Sequence, residues 1–197
     1  MKTNHITQLF LITCVAALAA GCASAPSRFY TLNSTATGDG SPAAACAVAV
    51  GPVSIPALVD RPQFTVQVAP NRVAVDEFNR WAEPLSQNIA GVVAGDLAVL
   101  LGTPRVATAP LANFDPDYRV TINIQRFESV PGKSVLVEAL WVVRKSAGGA
   151  AQSGRTLASE PVSGNGFDVL AAAHSRALAK VSSDIAAAVR VEADEKP

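Results

Sequence analysis

Apolar residues recur along this chain with two periods. From Pro84 to Leu101, the residues Leu85, Ile89, Val92, Val93, Leu97, Leu100 and Leu101 fall at three- and four-residue steps. That spacing puts them on one stripe of a helix. Pro84 suits the first turn, and Gly102 followed by Pro104 is a stop signal. A second stripe, Leu170, His174, Ala177, Leu178, Val181, Ile185 and Val189, predicts a helix from about Val169 to Val191, with Asp168 placed to cap it. Gly91 and Gly95 sit four apart on the first helix and predict close packing against a sheet.

The second period is two. Tyr118, Val120, Ile122 and Ile124 alternate with Arg119, Thr121, Asn123 and Gln125, the pattern of a half-buried strand. Phe64, Val66 and Val68, then Val73 and Val75 across Pro70-Asn71, predict a hairpin. Cys46 to Ile55 and Ser134 to Val143 are nearly continuous apolar runs, expected of strands buried on both faces. Arg105 to Ala107 reads as a short strand and Thr156 to Val162 as a weak edge strand broken by Pro161. Residues 146 to 154 are Gly, Ala and Ser apart from Gln152, a loop by composition. The elements predict one α/β domain, a mixed β-sheet of about six strands with two long helices packed on it.

Before the domain the pattern changes. Lys2 is the only charge ahead of Arg28, and Ile6 to Ala20 is mostly apolar. Spanning a bilayer takes roughly 20 apolar residues, so this stretch is short, and it fits a secretory signal instead. It ends in Leu18-Ala19-Ala20-Gly21-Cys22, which resembles a bacterial lipobox, although Ala19 stands where leucine is usual. Cys22 is then the acylated first residue of the mature chain. One acyl chain binds a membrane marginally and two or more hold firmly. Ala23, rather than Asp, after the cysteine resembles the default for outer-membrane sorting. The divisions expected are a signal over 1–21, a lipidated tether over 22–27, the domain over 28–191 and a charged tail over 192–197. Arg28 to Leu32 reads as a strand and Asn33 to Ala45 as a loop. The pattern leaves open whether 28–45 joins the fold or lengthens the tether.

Composition narrows the function. Sixteen basic and sixteen acidic residues cancel, which argues against nucleic acid as a partner. Cys14 leaves with the signal and Cys22 carries lipid, so Cys46 stands alone and reads as a small buried residue. The mature chain has one histidine, His174. Ser175 is adjacent and points about 100° away around the helix, so the two make no nucleophile–base pair. Gly-x-Ser-x-Gly, Walker and His-x-x-Glu-His patterns are missing from the sequence. Gly164-Asn165-Gly166 lacks the third glycine of a dinucleotide loop. His174 on a buried stripe predicts a hydrogen-bonded core residue. No enzyme activity, no cofactor and no metal site are expected.

Two segments read as contact surfaces. Asp76 to Glu83 places Phe78, Arg80 and Trp81 before a helix, where Arg80 could stack on Trp81 at an interface or Trp81 could seal the helix start. Ile55 to Pro62 is a proline-bounded stretch carrying Leu58 and Arg61, either a docking loop or a packed connection. Leu58, Arg61, Arg80 and Trp81 are the candidate partner-binding residues.

Ordered motifs then carry a family likeness. They are Phe29-Tyr30-Thr31-Leu32, Val50-Gly51-Pro52-Val53-Ser54-Ile55-Pro56 with Asp60-Arg61-Pro62-Gln63, Phe78-x-Arg80-Trp81-Ala82-Glu83-Pro84-Leu85, Asp117-Tyr118-Arg119-Val120, and Ala172 to Leu178. In this order the chain resembles the auxiliary lipoproteins of ABC-type transport systems, the paraquat-inducible protein C type. The resemblance implies a non-catalytic docking subunit on the periplasmic face of the outer membrane in an intermembrane lipid transport system. It implies as partners a mammalian-cell-entry periplasmic protein and an inner-membrane ABC permease with its ATPase, and is compatible with a homo-oligomer. A module that itself carries a phospholipid is the alternative, motivated by the apolar faces of 134–143.

Overall fold

The computed structural model describes residues 25–149 and 151–194. Among the described residues eight strands and two helices follow one another as β1 (Arg28–Tyr30), β2 (Val48–Ser54), β3 (Gln63–Ala69), β4 (Arg72–Trp81), α1 (Leu85–Leu101), β5 (Val106–Thr108), β6 (Tyr118–Val130), β7 (Ser134–Lys145), β8 (Ala151–Pro161) and α2 (Phe167–Asp194). The α/β class and the two long helices agree with the sequence. The strands divide into two sheets, where the periodicity suggested one.

The larger sheet has the order β5-β2-β6-β7-β8, with β5, β2 and β6 parallel and the rest antiparallel. Both helices pack on one face, α1 over β2 and β5 and α2 over β7 and β8. β6 shows why its alternation was readable. Tyr118, Val120, Ile122 and Ile124 are buried and the residues between them exposed. Between Ile124 and Arg126 a bulge shifts the register against β7, and the extra residue reverses the phase. Phe127 and Ser129 therefore turn inward, and the strand runs five residues past Gln125.

β8 begins at Ala151, so residues 151–154 are strand and not loop, and Pro161 closes it. Gly154 lies opposite Trp141, whose indole fills the space a side chain would take, so an added Cβ would collide with the ring. The indole N–H donates to Thr156 Oγ1 at 3.0 Å, and that hydroxyl donates to Asp184 on α2.

The second sheet, β1-β4-β3, pairs β1 parallel to β4 and β4 antiparallel to β3. An aromatic chain joins it to the rest. Phe64 stacks on Trp81 at 4.2 Å and meets Phe167 of α2 at 5.1 Å; Trp81 reaches Phe127 at 6.2 Å, and Phe127 stacks on His174 at 3.8 Å. These rings, with the buried valines of β2 and β7, form one core.

α1 keeps its expected limits. Gly102 ends it in a left-handed conformation, φ 63°, which turns its own N–H and that of Thr103 back onto the last carbonyls. The packing of Gly95 differs from expectation: it faces Ser34 of the N-terminal segment and not a sheet, and Gly91 is exposed. Asp168 lies inside the first turn of α2 and is not its cap. That helix runs on to Asp194, and Glu192 pairs with Lys145 at 3.2 Å, so residues 192–194 belong to the helix rather than to a tail.

Candidate functional site

Residues 28–45 are part of the body. β1 joins the small sheet, and the chain then runs along α1, stitched to it and to α2 by polar side chains. Leu32 N–H donates to Asn88 Oδ1 at 2.7 Å, and Asn88 Nδ2 reaches Thr31 Oγ1 and Glu83 Oε1. Asn33 N–H donates to Ser175 Oγ at 3.1 Å. Asp96 carries most of the load. Its carboxylate accepts from Ser34 Oγ at 2.6 Å, from the N–H groups of Thr35 and Ala36 at 3.0 Å each, and from Ser182 Oγ of α2 at 3.0 Å. Arg190 then holds Pro42 O and Leu100 O, and Ala44 N–H meets Leu101 O. A carboxylate with no exposed surface is tolerable when its lone pairs are filled in this way. Asn88 and Asp96 interrupt the apolar helix pattern, and that interruption is the sequence signal that could have revealed the clasp.

The loop between β2 and β3 carries two of the four candidate contact residues. Leu58 is 46% exposed while Val59 beside it is buried, so the segment is both a packed connection and a surface. On one side lies a groove of about 100 Å³ lined by Leu58, Thr65, Gln67, Val73 and Glu128 among others. On the other, a depression of about 310 Å³ holds Asp60, Arg61, Pro62, Trp81, Glu83 and Leu85. Val68, Val73 and Val75 extend the apolar surface along the hairpin, all more than one-third exposed.

The structure places the other two candidates differently. Trp81 is 5% exposed and stacked in the aromatic chain, so it seals the start of α1, and only its edge reaches the depression. Arg80 does not stack on it: the guanidinium turns to Glu77, donating to its carbonyl at 2.8 Å with the carboxylate at 3.5 Å. Arg61 and Trp81 share a depression; Leu58 lines the neighbouring groove, and Arg80 lies beside Phe29 of β1. Cys22 lies outside the described residues.

His174 is fully buried between Phe127 and Ser129, whose Oγ is 2.8 Å from Nε2. Burial alone pushes its pKa down to about 3, so the ring is neutral. Its Nδ1 has no hydrogen-bond partner among the described residues, hence no acid orients the imidazole as a base. This is a core histidine. Cys46 is buried too, and burial pushes its thiol up.

The fold has solved counterparts. It matches a crystal structure of protein XCC0632 from Xanthomonas campestris with a TM-score of 0.69 at 19% identity, covering 83% of this chain and 95% of that one. A crystal structure of an uncharacterized protein matches with a TM-score of 0.64 at 17% identity, covering 85% and 99%. A PelC dodecamer from Paraburkholderia phytofirmans is a weaker likeness, with a TM-score of 0.42 at 15% identity over 78% and 91%. No curated protein matches. At these identities the likeness concerns the α/β fold alone. The family model for the ABC-type transport auxiliary lipoprotein component matches residues 30–186, and the chain belongs to that family. Its members are membrane-associated lipoproteins that assist a transport system and are not known as enzymes. Among the described residues no helix is long and apolar enough to cross a membrane.

Proposed function

We propose that this protein is a non-catalytic docking subunit, held by acyl chains on Cys22 to the periplasmic face of the outer membrane, in an ABC-driven intermembrane lipid transport system. The stitching of residues 31–44 to both helices supports this reading best. It leaves only 22–27 as tether, and six residues span at most about 20 Å. A body on so short a leash stays close to its membrane and presents a fixed surface. Transport work comes from ATP hydrolysis in the inner-membrane permease–ATPase, and a mammalian-cell-entry protein bridges the gap to this subunit.

The docking surface in this reading is the ridge around Leu58 and Arg61 with the β3–β4 hairpin beyond it. An exposed leucine with an arginine on the neighbouring depression offers a partner apolar surface and a charge side by side. A photo-crosslinker at position 58 tests this in cells making the lipidated chain. A crosslink to a mammalian-cell-entry protein is expected; its absence, when the same probe at exposed Leu157 captures that protein, would refute docking at the ridge.

A further inference from the structure

We propose that the outer face of the β1–β4 pair, with Phe29 and Phe78 beside Arg80, rests on the phospholipid surface to which the chain is tethered. This rests on the reading of Cys22 as acylated. In β1, Tyr30 turns inward onto Phe64, and its hydroxyl donates to Asn79 at 2.8 Å. Phe29, the alternate residue, points the other way and is 65% exposed. Parallel pairing sets Phe29 beside Arg80. Two residues before Arg80, Phe78 is 45% exposed at the crest of a bulge. That crest is shaped by Asp76, whose carboxylate accepts from the N–H groups of Phe78 and Asn79 at 2.9 and 2.8 Å.

Two exposed phenylalanines so placed invite a covering surface, and the position of the tether says which. Phe29 follows Cys22 by seven residues, at most about 25 Å of extended chain. The Asn88 contacts begin at Thr31 and Leu32 and those of Asp96 at Ser34, so β1 cannot drift from the body while the anchor holds it near the lipid. Phenylalanines on an interfacial face enter the boundary between headgroups and acyl chains, and the stem of Arg80 beside them adds apolar surface while its guanidinium stays with Glu77. Once the acyl chains are inserted the contact is intramolecular in effect, so a small gain per ring is enough to fix orientation. The N-terminal segment follows α1 from Asn88 to Leu101, and the far end of that helix lies about 25 Å from its start.

The test uses the full lipidated protein with Phe29→Trp, reconstituted into phosphatidylethanolamine–phosphatidylglycerol vesicles containing lipids brominated in the upper acyl chain. The parent, whose Trp81 and Trp141 are both buried, supplies the baseline. Leu111→Trp, in the loop after β5 at the edge of the other sheet and 55% exposed, is the control. Side chains of an interfacial face lie roughly 5–10 Å below the headgroup boundary, so the indole introduced by Phe29→Trp should lose roughly half or more of its emission while the one introduced by Leu111→Trp keeps its own. Vesicle-bound Phe29→Trp protein whose new indole is unquenched and water-exposed overturns the face and leaves the anchor standing. An indole there that is blue-shifted but unquenched overturns it in favour of a protein contact, such as a second copy. Failure of the chain to enter the vesicle fraction overturns the anchor and the face together.

Discussion

Ser34 donates its hydroxyl to the buried carboxylate of Asp96 at 2.6 Å, and Ser182 donates to the same carboxylate from the opposite helix. One acidic side chain thus ties the N-terminal segment, α1 and α2 together. In the lipid-anchored protein we propose, the closed clasp ends the tether near residue 27, and opening it would lengthen the leash toward residue 45.

Asp96→Ala should therefore loosen the segment before it unfolds the domain. Losing charge-assisted bonds and leaving Ser34 and Ser182 short of a partner costs about 2–3 kcal/mol. Hydrogen exchange should accelerate at Thr35 and Ala36 well beyond its change in β6. Equal protection at those two amides would contradict the clasp.

The pH response should carry the signature of His174. Its folded pKa of about 3 lies below the ordinary 6.5, so the unfolded chain takes up a proton that the folded chain refuses. The stabilisation is complete above pH 6.5 and is lost as pH falls from 6.5 toward 3. Glu160 adds to the loss lower down: the Lys180 ammonium, helped by Arg176, holds its carboxyl below the usual 4.5 against the opposing effect of burial. Between 6.5 and 4.5 the histidine effect stands apart from that ion pair. The double variant His174→Leu/Ser129→Ala should flatten the fall in Tm over that interval. An unchanged slope would show that the ring is protonated in the folded state.

Trp81 and Leu58 should separate cleanly. Trp81→Ala removes the ring stacked on Phe64 and should cost about 3–5 kcal/mol. Leu58→Ser alters a half-exposed side chain and should cost under about 0.5 kcal/mol, yet weaken capture of the partner. Denaturant titration beside a pull-down reads both. A stable Trp81→Ala protein that fails only in capture would reverse the assignment.

Gly154→Ala should disturb β8 through Trp141. The added methyl collides with the indole, and either the ring moves off Thr156 or the strand shifts, an overpacking cost of about 1–3 kcal/mol. Near-ultraviolet circular dichroism would record the displaced indole, and an unaltered spectrum with wild-type stability would contradict the close contact.

Local physics was legible in the chain, and long-range pairing was not. The stripe of α1, its Gly102 stop and the alternation of Tyr118 to Ile124 are set by neighbours a few residues apart. The bulge after Ile124 hid the rest of β6, because one inserted residue reverses which face is apolar. Nothing in a two-residue period says that β1 pairs with β4 while β2 pairs with β6, so the division into two sheets was invisible. The buried histidine and cysteine were readable from the stripes around them. The clasp was not, since its partners Ser34 and Ser182 lie 62 and 86 residues from Asp96, although a carboxylate inside an apolar helix was there to be noticed. At the candidate surface, Leu58 and Arg61 were legible as exposed positions in a proline-bounded loop. Trp81 was harder to assign, because the same ring serves an interface or a helix start equally well in sequence.

The most direct test is the intact mass of the mature protein extracted from the outer-membrane fraction. We expect a chain that begins at Cys22 and carries acyl groups on that residue, with Cys22→Ser leaving an unprocessed, unlabelled precursor. A mature chain that starts elsewhere, or one that carries an unmodified cysteine and washes from the membrane in buffer, would contradict it.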